Sequence, residues 1–201
     1  MEYVDLTHTF KVGMPVHPGD PQPTLKQFNT IEEHGYSDFE VRTGMHVGTH
    51  MDGPAHMIAG GRKLYEIPPE KFFGKGFLVD ARNKNIGPEL LEGVRAGDIV
   101  LVFTGWANKF GQVGYYKDYP VLTEEFAQKL IELKVNAVGV DTSSPDAPPY
   151  NIHKILLVKE ILIIENLTNL EKLLNQQFEV IALPMKLDAD SALVRVVAKI
   201  N

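Results

Sequence analysis

Residues 46–56 read His-Val-Gly-Thr-His-Met-Asp-Gly-Pro-Ala-His, and this stretch decides how the rest of the chain is interpreted. Three of the seven histidines in the chain fall within it. Together with Asp52 they offer four nitrogen or oxygen groups suited to Zn²⁺ or Mn²⁺, because neutral imidazole is a common metal ligand. A surface turn that happens to be rich in histidine is the alternative, and we favour a metal site.

The spacing of these four side chains indicates a bent segment. All stand at even positions, so an extended chain would place them on one face. At about 3.3 Å per residue, however, His46 and His50 would lie roughly 13 Å apart, too far to share an ion whose ligand bonds are near 2 Å. Gly48, Gly53 and Pro54 provide for a bend, since glycine accepts unusual dihedral angles and proline interrupts a regular ladder or helix.

The composition is that of one folded domain spanning residues 1–201. Of its 201 residues, 44% are hydrophobic and 23% are charged, which is enough apolar material for a core. Six short apolar segments bounded by glycine and proline predict strands of an extended sheet. They are residues 76–80, 98–103, 137–140, 161–164, 178–183 and 194–200.

Helical spacing is clearest over residues 123–133, and weaker helical patterns occur at residues 88–91, 153–157 and 167–174. Helices therefore alternate with strands in the second half of the chain, which predicts a mixed α/β fold. Residues 145–149 are expected to form a surface loop.

Charge and cysteine content exclude several classes of protein. A net charge of -6 provides no basic surface for nucleic acid. The chain contains no cysteine, so any metal must bind through nitrogen and oxygen atoms. The first residues lack the basic start and apolar run of a secretory signal, and no apolar run is long enough to cross a membrane. We expect a cytoplasmic protein with a small-molecule substrate and no membrane partner.

The motif in residues 46–56 resembles the signature of the cyclase family of metal-dependent hydrolases, which includes bacterial kynurenine formamidase and isatin hydrolase. The family pattern His-x-Gly-Thr-His-x-Asp-x-Pro-x-His is matched at every fixed position. The resemblance covers most of the chain, and we identify the chain as a member of this family. Further matching segments are residues 5–7, 15–20, 104–106, 139–141, 153, 165–167, 183–184 and 195.

The resemblance implies two divalent metal ions, Zn²⁺ or Mn²⁺, and a role for each matching residue. His46, His50 and Asp52 would be metal ligands, and His153 and Glu165 would complete a dinuclear site. The family also implies a swivelling β/β/α fold with a central β-rich sheet, assembled as a homodimer or homotetramer. His56, which is not needed as a ligand, would act as the catalytic acid or base.

From the residues alone, some of these positions have a second interpretation. Glu165 ends the apolar run 161–164, where a buried carboxylate would be costly unless a metal neutralised it, but it could also face solvent at a strand end. His153 could simply cap the segment that follows it. Asp141 could be a turn residue or could contact the substrate, and we leave it out of the ligands.

The function implied is hydrolysis of an amide by metal-activated water, with N-formylkynurenine converted to kynurenine and formate. The alternatives are hydrolysis of a cyclic amide or lactone, as in isatin hydrolase, cyclisation of a polyketide-like substrate, and a non-catalytic metal-binding protein. His17 departs from the kynurenine formamidases, which usually have tryptophan there. We expect His17 to contact the substrate.

Overall fold

A sheet that closes on itself forms the centre of the fold. The computed structural model describes residues 1–200 and places eight of the ten strands in this sheet. Seven strands follow one another in the order β4-β8-β7-β6-β5-β9-β10, and β10 pairs again with β4, so the ring is complete. The strands are β1 (Glu2–Asp5), β4 (His50–Asp52), β5 (Phe73–Asp80), β6 (Ile99–Phe103), β7 (Ala137–Val140), β8 (Leu162–Glu165), β9 (Phe178–Pro184) and β10 (Ser191–Ile200).

Strand direction separates the ring into two parts. The four neighbours β5, β6, β7 and β8 are parallel, and the other pairs are antiparallel. The length of β10 closes the ring, because its first residues pair with β4 and its later residues pair with β9 and β1.

The parallel strands are buried on both faces, and β6 shows why. Ile99, Leu101 and Phe103 point into the interior of the ring, where they join one apolar cluster. Val100 and Val102 point outward into a second apolar cluster that includes the helices. A strand covered on both faces reads as a continuous apolar run, which is why these strands are visible in the sequence.

Two helices cover the outer face of the parallel strands. They are α2 (Glu124–Leu133) and α3 (Asn151–Leu157). Thr123 is the N-cap of α2, and its hydroxyl accepts a hydrogen bond from the amide of Phe126. The helical patterns at residues 88–91 and 167–174 form only short 3₁₀ turns, Pro88–Leu91 and Leu170–Leu173. None of the helices in the described part of the chain has the length and apolar character needed to span a membrane.

A hairpin stands apart from the ring. Its strands β2 (Thr24–Asn29) and β3 (Asp38–Arg42) pair only with each other, and the short helix α1 (Ile31–His34) connects them. No residue from 24 to 42 is buried. The predicted α/β fold class is confirmed, whereas the hairpin and the closure of the sheet are features that the sequence patterns did not indicate.

Candidate metal centre

Two neighbouring strands of the ring position three of the predicted ligands. His50 on β4 and Glu165 on β8 are direct partners in the antiparallel ladder, and Asp52 lies two residues along from His50 on the same face. Met51 and Ile164, which alternate with them, point into the ring interior. The ligands therefore lie on the outer face, at the carboxyl end of β8, where parallel strands of α/β proteins commonly present ligand sites.

The predicted bend brings His46 to the same place. Gly48 has a φ of 64°, in the left-handed region that glycine adopts without strain. The ring centroids of His46 and His50 are consequently 5.1 Å apart. His46 Nδ1 lies 3.1 Å from Asp52 Oδ1. The regular strand is limited to the three residues of β4, and the turn before it brings the two histidines together.

The fifth predicted ligand comes from α3, which packs against β8. His153 Nε2 lies 3.3 Å from Glu165 Oε1 and 3.8 Å from Asp52 Oδ2. Glu165 is buried, so it does not take the alternative solvent-facing position, and His153 lies inside α3, whose N-cap is Tyr150 and not His153. The structure therefore brings all five predicted ligands together around the carboxylate of Asp52.

The buried polar atoms of this cluster fit a divalent cation. His50 Nε2 and both carboxylate oxygens of Asp52 are buried without a hydrogen-bond partner. His50 Nδ1 lies 2.8 Å from the carbonyl oxygen of Gly48, which can only accept, so Nδ1 carries a hydrogen. In neutral His50 the lone pair of Nε2 then faces Glu165 Oε2 at 3.2 Å, and that contact is repulsive unless a positive charge lies between them.

The distances between the ligand atoms of the cluster also fit a bound divalent cation. Ligand atoms arranged tetrahedrally around an ion with bonds of about 2.0–2.1 Å lie roughly 3.3 Å apart. The contacts of Asp52 and Glu165 with the histidines fall between 3.1 and 3.8 Å. Two sets of ligand atoms come together within 4.8 Å, and Asp52 belongs to both. The sets are His46, Asp52 and His56, and His50, Asp52 and Glu165.

His56 lies beside the cluster on a 3₁₀ turn, Pro54–His56, that follows β4. Its ring centroid is 4.1 Å from that of His46 and 5.7 Å from that of His153. Burial outweighs the attraction of Asp52 and lowers the pKa of His56, so the imidazole is neutral at pH 7. A neutral imidazole at this position can accept a proton.

Proton affinities in the metal-free protein differ between the ligands and His56. Burial alone would lower the pKa of His46 and His153, but hydrogen bonds and charges from the adjacent carboxylates outweigh it. The pKa of His46 rises to about 9, through Asp52 and Asp190, and that of His153 to about 10, through Asp146 and Glu165. A metal ion must therefore displace protons from these histidines.

Two aspartates that the sequence patterns did not indicate contact the predicted ligands. Asp146 Oδ1 lies 2.6 Å from His153 Nδ1, so residues 145–149 are only partly the expected surface loop and Asp146 is buried. Asp190 Oδ2 lies 2.9 Å from His46 Nε2 and 3.1 Å from His56 Nδ1. The only available signal is chemical, because metal-binding histidines commonly donate their second N–H to a carboxylate.

Asp141 does not belong to the cluster. Its carboxylate accepts hydrogen bonds from the hydroxyl and amide of Thr104 and from the amide of Gly105, and it thereby connects the ends of β6 and β7. The turn interpretation of Asp141 is the one the contacts favour.

A cavity of about 250 Å³ opens above the cluster. Its walls include the histidines of the cluster and three tyrosines, Tyr116, Tyr119 and Tyr150. His17 lies at the exposed rim, with its ring edge against Tyr116 at a centroid distance of 5.8 Å. Within residues 1–200, the side chains that line the cavity include Asp20 but neither lysine nor arginine.

Comparison with known proteins gives three consistent results. A kynurenine formamidase of Bacillus cereus is 29% identical over 98% of this chain and 97% of its own. An uncharacterized protein of Methanocaldococcus jannaschii is 32% identical over 98% of this chain and 99% of its own. Isatin hydrolase A from Labrenzia aggregata, solved with benzyl benzoate, superposes with a TM-score of 0.86 at 25% identity, covering 98% of this chain and 93% of that one.

The model of the Cyclase family matches residues 4–147, which include the whole 46–56 motif and its turn. The histidine, aspartate and glutamate groups of the site are compatible with a bound metal. From the family match, the full-length relatives and the fold, we conclude that this chain belongs to the Cyclase family of metal-dependent hydrolases.

Proposed function

We propose that this protein hydrolyses an amide bond with the help of bound divalent metal ions, and that its substrate is an N-formyl arylamine of the N-formylkynurenine type. The observation that carries the proposal is the group of buried, unpartnered ligand atoms on His50 and Asp52 beneath an open, tyrosine-lined cavity. A purely structural metal would be enclosed by protein ligands, whereas this cluster faces the cavity. The similarity to kynurenine formamidase along the whole chain supports the substrate class.

Bound divalent ions supply Lewis acidity, which polarises a carbonyl group and lowers the pKa of water. His56 provides the proton transfer. Its Nδ1–H is held by Asp190, so Nε2 is left to accept a proton from the attacking water and to pass it to the leaving nitrogen. The water oxygen adds to the formyl carbon, the C–N bond breaks, and formate and the free amine are the products.

The tyrosines and His17 would hold the aryl part of the substrate. Burial raises the pKa of Tyr119 to about 12 and also raises that of Tyr116, so both hydroxyls remain protonated. The Tyr119 hydroxyl already donates to the carbonyl oxygen of Asp146, which leaves the Tyr116 hydroxyl to donate to the substrate. An aromatic ring between these side chains would leave the formyl group near the cluster.

A second candidate is hydrolysis of an uncharged cyclic amide such as isatin. The absence of lysine and arginine among the described cavity residues favours it, because the carboxylate of N-formylkynurenine would find no cationic partner there. The superposition with isatin hydrolase A supports the same alternative.

The test compares N-formylkynurenine and isatin as substrates of the purified protein loaded with Zn²⁺ or Mn²⁺, beside a chelator-treated sample. We expect metal-dependent release of formate from N-formylkynurenine, which is abolished when His56 is replaced by alanine although the metal is retained. Faster turnover of isatin would transfer the assignment to cyclic amides. No turnover of either compound by metal-loaded protein would refute the proposal and favour a non-catalytic metal-binding protein.

We also propose that two copies of the chain associate through the hairpin. Leu25, Phe39 and Val41 form one exposed apolar face, with Leu25 opposite Val41 in the ladder. An isolated two-stranded hairpin is at best marginally stable in water, so this face needs a partner surface. A second copy of this chain presents the same face, which suits a two-fold symmetric contact.

A further inference from the structure

One carboxylate oxygen contacts both a predicted metal ligand and the proposed proton carrier. Asp190 Oδ2 lies 2.9 Å from His46 Nε2 and 3.1 Å from His56 Nδ1. An aspartate carboxylate is ionised at neutral pH and can then only accept hydrogen bonds. Both histidine nitrogens therefore carry a hydrogen that points at the same oxygen.

This arrangement determines which nitrogen of each ring remains free. In His46 the hydrogen on Nε2 leaves the lone pair on Nδ1, the atom 3.1 Å from Asp52 Oδ1. In His56 the hydrogen on Nδ1 leaves the lone pair on Nε2. The hydroxyl of Ser191 also lies 3.0 Å from His46 Nε2, but a lone pair on that nitrogen would face Asp190 Oδ2, so the hydrogen belongs on Nε2.

The backbone holds Asp190 in place independently of the histidines. Its carbonyl oxygen accepts a 2.9 Å hydrogen bond from the amide of Gly53, between β4 and the turn that carries His56. The next residue, Ser191, begins β10 and is the ladder partner of Asp52. The backbone of Asp190 is thus fixed to the same strand pair as the ligands, which places its carboxylate beside both histidines.

We propose that Asp190 is a positioning residue that sets the tautomers of His46 and His56 together. Through His46 it would direct Nδ1 toward the metal, and through His56 it would direct Nε2 toward the reacting water. The second part rests on the proposed hydrolytic function, whereas the first depends only on metal binding.

The test uses Asp190→Ala and Asp190→Asn beside Asp188→Asn as the matched control. Asp188 lies two residues away, is exposed, and pairs with Lys63, at 2.6 Å. The tautomers are measured by long-range ¹H–¹⁵N correlation spectra of the imidazole rings in Zn²⁺-loaded protein. The rate of Zn²⁺ transfer to a chelator is measured on the same samples.

We expect Asp190→Ala to change the ring nitrogen signals of both His46 and His56 and to accelerate Zn²⁺ loss by about 10- to 100-fold. The asparagine variant keeps an acceptor oxygen and should fall between alanine and wild type, and Asp188→Asn should match wild type. On the preferred substrate, we expect Asp190→Ala to lower kcat and to leave KM little changed.

Unchanged ring signals at both histidines in Asp190→Ala, or a change at His46 alone, would overturn the proposal. The spectra and the metal-loss rates need no substrate. A failure of the proposed function would therefore appear as missing turnover in wild-type protein, whereas a failure of this inference would appear as unaltered tautomers in the variant.

Discussion

Asp146 and His153 form the shortest carboxylate–imidazole contact of the site, with Oδ1 2.6 Å from Nδ1. The hydrogen on Nδ1 leaves Nε2 of His153 free to face Glu165. We expect Asp146→Ala to weaken metal binding by about 10- to 100-fold, because the ring then loses the partner that fixes its orientation. Equilibrium titration of the metal-free variant with Zn²⁺ checks this.

The same aspartate also stabilises the start of α3, which requires a control. Asp146 Oδ2 accepts hydrogen bonds from the amides of Ile152 and His153. Asp146→Asn keeps an oxygen for these amides but loses the charge beside the ring. If both variants unfold at the wild-type temperature and bind Zn²⁺ like wild type, Asp146 has no part in the metal site.

Asp52 is the carboxylate shared by the two sets of ligand atoms. We expect wild-type protein to bind two ions per chain and Asp52→Asn to bind fewer than one, since each ion would lose a charged ligand. Elemental analysis of dialysed protein gives the ratio. Asp98→Asn, a change at a buried carboxylate that accepts a hydrogen bond from the Arg95 amide outside the site, should leave the ratio unchanged.

The stability of the metal-free protein should fall as the pH rises. The folded-state pKa is raised to about 9 for His46 and to about 10 for His153, above the ordinary value of 6.5. The folded protein therefore binds more protons than the unfolded chain, and this stabilisation is complete below about pH 6.5 and lost as the pH passes through 9 and 10. We expect the Tm of chelator-treated protein to drop by about 5 °C or more between pH 7 and pH 10.

The stabilisation that bound metal provides should instead increase with pH. Protons and metal ions compete for His46 and His153, so the increase in Tm produced by Zn²⁺ should grow between pH 6 and pH 8. A constant Zn²⁺ effect across this range would mean that neither histidine releases a proton when the metal binds.

Gly48 is predicted to be necessary for the turn that brings His46 to His50. Alanine there would have to adopt a φ of 64°, and its Cβ would lie 2.5 Å from Met14 Cε. We expect Gly48→Ala to lower the free energy of unfolding by about 1–2 kcal/mol and to weaken metal binding. Gly44→Ala is the matched control, because its Cβ would meet only Val47, at 3.8 Å. Equal denaturation midpoints for the two variants would contradict the prediction.

The hairpin prediction concerns assembly. Wild-type protein should have about twice the 22.4 kDa chain mass in solution, and Phe39→Asp should reduce it to that of a single chain. Glu40→Gln changes the opposite face of the same strand and should leave the mass unchanged, since Glu40 pairs with Lys26 and not with Leu25 or Val41. Light scattering during size-exclusion chromatography distinguishes these outcomes. A monomeric wild type would exclude the hairpin contact.

The strands whose bounds the sequence predicts best are those buried on both faces. The segment at residues 137–140 coincides with β7 (Ala137–Val140), and residues 98–103 contain β6 (Ile99–Phe103). Strand β4 (His50–Asp52) was not predicted as a strand, because it has one apolar residue between two polar ones and is defined by partners more than 100 residues away. The helical pattern at residues 167–174 fails because Asn169 adopts a left-handed φ of 59°, which ends any regular helix there.

Some residues of the candidate site could be predicted from the sequence and others could not. The five predicted ligands and His56 could be named because the motif and its resemblance single them out. Asp146 and Asp190 could not, since their importance comes only from the histidines they contact. Asp190 is 144 residues from His46 and 134 from His56, and only the closed sheet brings them together.

The pairing of His50 with Glu165 has a consequence for protein engineering. These ligands occupy one rung of a closed ladder, so their separation is set by backbone hydrogen bonds. The cavity wall, by contrast, comes largely from loops, including those that carry His17, Tyr116 and Tyr119. Loop exchange should therefore change which molecules are accepted while the metal-binding geometry persists, so that one scaffold can host a series of different hydrolases.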